Sequence, residues 1–168
     1  MTKEQNNMII EDFLLDDNID YCKIANGYFI QLHIKDTKIP DAMLKIIPNE
    51  QIINFSIFPC KYVLPLEKIS DVAQYFRIIN EFSPLGGFEL ENEKLAVMDI
   101  DLPSVGIFPA YNIGCDTIAF DKSQSKDRFR YIISILITSY EKFIDGVLMV
   151  EYNILTPVQA AELFLKKE

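Results

Sequence analysis

The chain reads as an α+β domain: an antiparallel sheet of about five strands with helices packed on it, in the order α-βββ-α-ββ-α-α. Three observations carry this reading. Between Tyr28 and Phe58 lie three short apolar runs joined by short polar connections, and the first and third alternate at period two. Four other segments carry apolar residues at helical spacing. Strands come in groups separated by helices, without strict βαβ alternation, which favours helices laid on an antiparallel sheet.

Taken in order, Met8, Ile9, Ile10, Phe13 and Leu14 predict a first helix over residues 4–16, ended by Asp16-Asp17-Asn18. Asn26-Gly27 is a turn signal. Tyr28, Ile30, Leu32 and Ile34 then share one face of a strand, with Gln31, His33 and Lys35 on the other. Met43 to Ile47 is a second strand. In the third, Gln51 to Phe58, the core side is Ile53, Phe55 and Ile57, and Asn54 and Ser56 point away. The short connections predict a meander.

Pro65 opens a helix over Leu66 to Phe82, with Ile69, Val72, Ala73, Phe76 and Ile79 as its apolar stripe. The stripe is expected to bury against Ile30, Leu32, Ile53 and Phe55. Ser83-Pro84-Leu85-Gly86-Gly87 stops the helix. Phe88-Glu89-Leu90 begins a fourth strand, Asn92-Glu93 is a hairpin tip, and Lys94 to Leu102 is a fifth strand with Ala96, Met98, Ile100 and Leu102 on one face. Residues 103–122 are broken by Pro103, Gly106, Pro109 and Gly114, with room for a short strand at Thr117 to Phe120. A helix starts near Ser125 and is expected to stop at Gly146. Thr156-Pro157-Val158-Gln159 has the form of a capping box with proline at the first helical position, opening a last helix to Lys166.

Composition narrows the function. The 168 residues are 49% hydrophobic and 24% charged, with 12 Phe, 8 Tyr and no Trp, enough for one aromatic core without staples. The net charge is −9 and arginine occurs only at 77, 128 and 130, so the basic surface that nucleic acid requires is missing. Cys22, Cys60 and Cys115 are odd in number and widely spaced, with no CxxC, which disfavours a disulfide framework or a zinc ribbon and points to a reducing compartment. The N-terminal residues lack a basic start and a long apolar run, and no stretch reaches the ~18 apolar residues of a membrane span. A cytoplasmic location away from membranes is the expectation.

Little in the chain carries catalysis. His33 is the only histidine, and it falls on the predicted wet side of a strand. No HExxH, GxSxG, GxGxxG or GxxxxGK[ST] occurs. Gly86-Gly87 follows a helix instead of preceding one, so it reads as a helix stop and not as a phosphate cradle. Asp99 and Asp101, two apart on a strand, point the same way and have the spacing to share Mg²⁺ or Mn²⁺, with Asp116 or Asp121 as the nearest third ligand. The alternation around them equally makes them the wet face of an amphipathic strand. Lys122, Lys126, Arg128 and Arg130 form a basic cluster, either a contact for an anionic partner or a solvated helix edge. No cofactor, metal or catalytic residue is expected.

The stretch Leu66 to Leu102 joins a helix ending Ile79-Asn80-Glu81-Phe82 to Leu85-Gly86-Gly87-Phe88-Glu89-Leu90 and the strand Lys94-Leu95-Ala96-Val97-Met98-Asp99. This resembles the helix–"N…G-x-F-x-L"–strand run of the YbjN-like family, which shares its fold with type III secretion chaperones. The resemblance covers most of residues 1–145 as topology and about forty residues as sequence. It implies one noncatalytic bacterial chaperone-like domain over residues 1–168, often a homodimer, whose apolar surface receives a segment of a partner or client protein. Residues 147–168 then form a C-terminal helical extension.

Phe29, Ile52, Phe58, Leu95 and Val97 lie opposite the predicted core face and are the expected partner-binding surface. Three occupants suit it: the C-terminal helix, a second copy, or a client. A small metal-dependent phosphoryl-transfer enzyme built on Asp99 and Asp101, or a ligand-sensing regulatory domain, are the alternative functions.

Overall fold

The computed structural model describes residues 2–83, 85–92, 106–117 and 124–166. Four helices, α1 (Lys3–Asp16), α2 (Ile69–Asn80), α3 (Ser125–Glu151) and α4 (Pro157–Leu165), pack on a sheet of six strands. The strands are β1 (Cys22–Ile24), β2 (Gly27–His33), β3 (Asp41–Pro48), β4 (Ile52–Pro59), β5 (Gly87–Asn92) and β6 (Ile107–Asp116). All described pairings are antiparallel and the order is β1-β2-β3-β4-β6-β5. The α+β class and the meander therefore stand, with one strand more than expected. Thr2 and Thr156 open α1 and α4 with reciprocal capping boxes to Gln5 and Gln159.

The largest difference from expectation is β6. Residues 107–116, read from sequence as a broken connection, form a ten-residue strand between β4 and β5. Pro109 is tolerated there for a geometric reason. Asn80 takes both the N–H and the C=O of Phe88 (2.8 Å each), so those groups face away from β6. Phe88 is paired with Tyr111, whose own N–H and C=O must then face β4, and Pro109 has the same parity. The β4–β6 ladder ends at Tyr111, so the missing N–H of Pro109 falls where no partner strand needs it. Thr117 lies just beyond the strand, and the strand predicted for Lys94 to Leu102 falls outside the described residues.

Two helix expectations also change. α3 does not stop at Gly146 but runs on to Glu151, so residues 147–151 belong to α3 and not to a separate extension. Gly146 is buried, and a Cβ there would collide with the Tyr75 ring and hydroxyl. The glycine gives room to a neighbour and terminates nothing. α3, not α2, lies over the middle of the sheet, against β4 and β6, and its Phe129 packs on Phe55 and Phe13 with ring centroids 5.5 Å apart in both pairs. α2 sits on β5 and on α3 and α4; Phe76 is buried as expected, but stacked on Phe88 at 5.2 Å. Ala73 is exposed, and Tyr75 takes the core position instead.

The helix-covered core is rich in tyrosine, and each buried phenol has a partner for its oxygen. Tyr75 Oη donates to Phe143 O (2.9 Å) and Tyr140 Oη to Ile39 O (3.0 Å). Tyr28 Oη reaches Asn7 Oδ1 and Glu11 Oε1, both at 2.9 Å, and Tyr111 Oη meets Leu85 O and Ser83 Oγ. Burying a hydroxyl is tolerable only with such partners. Burial pushes the phenol pKa values of Tyr28, Tyr75 and Tyr140 well above the ordinary 10.0.

Candidate functional site

All four helices take the same face of the sheet. Tyr28, Ile30, Leu44, Ile46, Ile53, Phe55, Ile57, Tyr111 and Ile113 join their apolar residues in one cluster. The opposite, outer face carries a separate, smaller cluster of Phe29, Met43, Phe58, Phe108 and Ala110, with no helix residue in it. There Phe58 meets Phe108 at 5.2 Å and Phe29 at 6.4 Å.

Beside that cluster the outer face turns polar. The strand registers set Phe29, Lys45, Ser56, Asn112 and Gly87 in one row across β2, β3, β4, β6 and β5. In the next row Asn54 faces Gly114. Glycine at 87 and 114 leaves this end of the face without Cβ atoms, and a cavity of about 760 Å³ opens over it. Its polar lining includes Lys45, Asn54, Ser56, Glu89, Glu91 and Asn112. Gly86, at its rim, has φ +71°, and a side chain there would strike the Asn112 carbonyl, so the position requires glycine.

Within the cavity Asn112 Nδ2 donates to Glu91 Oε1 (2.9 Å) and lies 3.4 Å from Glu89 Oε2. Ser56 is 8% exposed, and its Oγ has no hydrogen-bond partner among the described residues. Lys45 is equally buried and lines the cavity from β3.

No protein-family model matches the chain, and no curated protein does. The fold has a relative among solved structures. YbjN from E. coli superposes with a TM-score of 0.49 over 86% of each chain, at 12% sequence identity. A likeness at this level concerns the fold alone, and the functional reading rests on the chain's own residues.

The predicted site residues separate on the structure. Phe29 and Phe58 are 4% and 2% exposed, buried within the chain itself, whereas Ile52 is 44% exposed. Leu95, Val97, Asp99, Asp101 and Asp121 lie outside the described residues. α4 does not cover the outer face as one of the three expected occupants; it packs on α2 and α3. Asp116 ends β6, and no group of three His, Cys, Asp or Glu among the described residues is placed to hold a metal. His33 Nδ1 meets Asp41 Oδ1 at 2.9 Å, with both side chains largely exposed.

Of the basic cluster, Lys126 and Arg130 of α3 reach the end of α1, and Lys122 lies outside the described residues. Arg130 grips Asp17 through two hydrogen bonds (2.6 and 2.8 Å) and Asp127 through a third, and Lys126 pairs with Asp16. The Arg130 guanidinium holds the Asp17 carboxyl below its ordinary pKa. No disulfide joins Cys22, Cys60 and Cys115, and burial raises the pKa of Cys60 and Cys115, which makes them poor nucleophiles. No described helix is long and apolar enough to cross a membrane.

Sequence reasoning placed Asn54 and Ser56 on the outer face but did not single them out. Asn112 and Gly114 were hidden because their strand was not predicted. Glu89 and Glu91 alternate with Phe88 and Leu90, which is the signal that places them together on the outer side of β5.

Proposed function

We propose that this chain is a noncatalytic protein-binding module that receives a segment of a partner protein on the outer face of its sheet. The observation that carries this reading is the one-sided packing. Four helices brace one face, and the other keeps a wide, open cavity on rigid strands. Such a site positions hydrogen-bonding groups without needing to move. The cavity groups are amides, a hydroxyl, an amine and carboxylates, and the one hydroxyl, Ser56 Oγ, bonds to no base among the described residues, which supports binding over turnover. Three cysteines with no disulfide among them support a reducing, cytoplasmic setting.

A photo-crosslinking side chain separates the two faces. Ile52 on the outer face and Val158 on α4 are similarly exposed, at 44% and 47%. The reading expects the group at Ile52 to capture one discrete host protein, or a second copy of the chain, and the group at Val158 to capture neither. Equal capture from both positions, or none from Ile52, overturns it.

A further inference from the structure

The two glutamates of β5 stand in an unusual relation to their surroundings. Both reach the same nitrogen, Asn112 Nδ2, which can satisfy at most one oxygen of each. Two carboxylates drawn to one point repel one another unless a positive charge lies near. Asn112 is the direct cross-strand neighbour of Ser56, whose Oγ is more than nine-tenths buried, unpartnered among the described residues, and part of the cavity wall. A buried hydroxyl without a partner is rare in folded proteins and marks a place where another polar group belongs. Carboxylate oxygens and an unused hydroxyl thus converge within one cavity.

Resting on the reading above, we infer that this cavity binds an arginine side chain of the partner segment, with its guanidinium between Glu89, Glu91 and Ser56. The chemistry fits in three ways. A guanidinium carries five N–H donors in a plane and no acceptor, matching a site whose free groups accept. Paired carboxylates favour it over a neutral amide through charge-assisted bonds. The volume of about 760 Å³ holds a side chain together with flanking backbone, and far exceeds what a bare ion needs. Lys45 lines the same cavity from β3, two strands from Asn112, roughly 10 Å between backbones at the strand spacing. The surplus of acidic groups in the chain, −9 overall, draws a basic segment toward it.

The test is a titration of the full isotope-labelled chain, followed by amide chemical shifts. The probes are the peptide acetyl-Gly-Arg-Gly-amide, its citrulline counterpart, which keeps the shape and loses the charge, and calcium chloride. The expected result is saturable shifts at Ser56, Glu89, Asn112 and Gly114 with the arginine peptide, and binding at least about tenfold weaker with citrulline. Glu89→Gln with Glu91→Gln should weaken the arginine peptide by a similar factor while leaving thermal unfolding in place. Gly114→Val should weaken it, because a Cβ at 114 meets only ordinary contacts with Asn54 and Ile52 and the added methyls project into the cavity. Shifts that do not saturate, equal affinity for citrulline, an unchanged affinity in the glutamine pair, or calcium saturating the same amides each overturn the inference. A chain that crosslinks a host protein from Ile52 yet ignores the arginine peptide overturns this inference alone. A chain that binds the peptide but crosslinks nothing keeps the guanidinium site and overturns the partner reading.

Discussion

Phe55 and Ser56 are adjacent on one strand and belong to two different kinds of surface. Phe55 is fully buried, with its ring against Phe129 of the longest helix, in a cluster that joins every helix to the sheet. Ser56 faces the other way, is nearly as buried, and its hydroxyl meets nothing among the described residues. On the helix side each buried tyrosine oxygen has a partner, and Asn6 Oδ1 on α1 has none among the described residues. On the outer side polar residues are gathered in a row, and there Ser56 Oγ is unpartnered among the described residues. The alternation of the strands sends one set of residues into the helix-covered core and the other to the outer face, where part is buried in a second apolar cluster and part lines the cavity.

That contrast predicts unequal effects. The largest should come from Phe55→Ala, which empties a fully packed position. It is expected to destabilise the fold by about 3–5 kcal/mol in denaturant unfolding. A cost comparable to an exposed substitution would mean that the helix face is not the structural one. Next is Gly146→Ala, on the same side, where the new methyl must displace the Tyr75 phenol. Overpacking of this sort costs about 1–3 kcal/mol. The double change Gly146→Ala with Tyr75→Phe should recover part of it, because the colliding oxygen is gone; no recovery would show that the clash lies elsewhere.

A smaller effect is set by pH. Lys23 and Tyr28 donate to the Glu11 carboxylate and hold its pKa below its ordinary value of 4.5. A carboxyl lowered on folding contributes stability in full above its unfolded pKa and loses it as pH falls through the folded one. Glu11→Gln should therefore lower stability at neutral pH and flatten its dependence on pH below about 4.5, read from unfolding midpoints on both sides of that value. An unchanged slope would remove Glu11 from the acid response. The smallest expected change is Ser56→Ala. Leaving a buried hydroxyl unpaired is itself costly, so its removal should be neutral or stabilising by up to about 1 kcal/mol. A clear loss of stability would mean that the hydroxyl has a partner after all, and the contrast between the faces would narrow.

Legibility in the sequence follows the same division. β2 and β4 alternate cleanly because one of their faces is sealed by helices, so Ile30, Ile53, Phe55 and Ile57 were readable as core. β6 was hidden by Pro109 and Gly114, two local signals that normally interrupt a strand. Only the end of the β4 ladder shows why the proline is harmless, and only the cavity shows why the glycine is useful. Gly146 misled for a related reason: a glycine that makes room for a distant ring is written the same way as one that ends a helix. Ala73 and Tyr75 exchanged roles because α2 leans on β5 and the other helices instead of lying over the sheet centre. The convergence of Glu89, Glu91, Asn112 and Ser56 depends on β6 pairing between β4 and β5, a long-range choice that no local pattern encodes.

The tyrosine-studded core gives the molecule a built-in alkaline fuse. Tyr28, Tyr75 and Tyr140 resist ionisation in place, since burial raises their pKa values on folding and the Glu11 carboxylate beside Tyr28 adds to the rise there. An acid group raised in this way adds stability in full below its unfolded pKa near 10, and that contribution drains away as pH climbs toward the folded value. In the unfolded chain the same phenols give up their protons near pH 10, so strong base pulls the fold open from several points at once. With no tryptophan in the chain, the ultraviolet signal of the emerging tyrosinates is unobscured, and the residues that lock the helices to the sheet also report when that lock has failed.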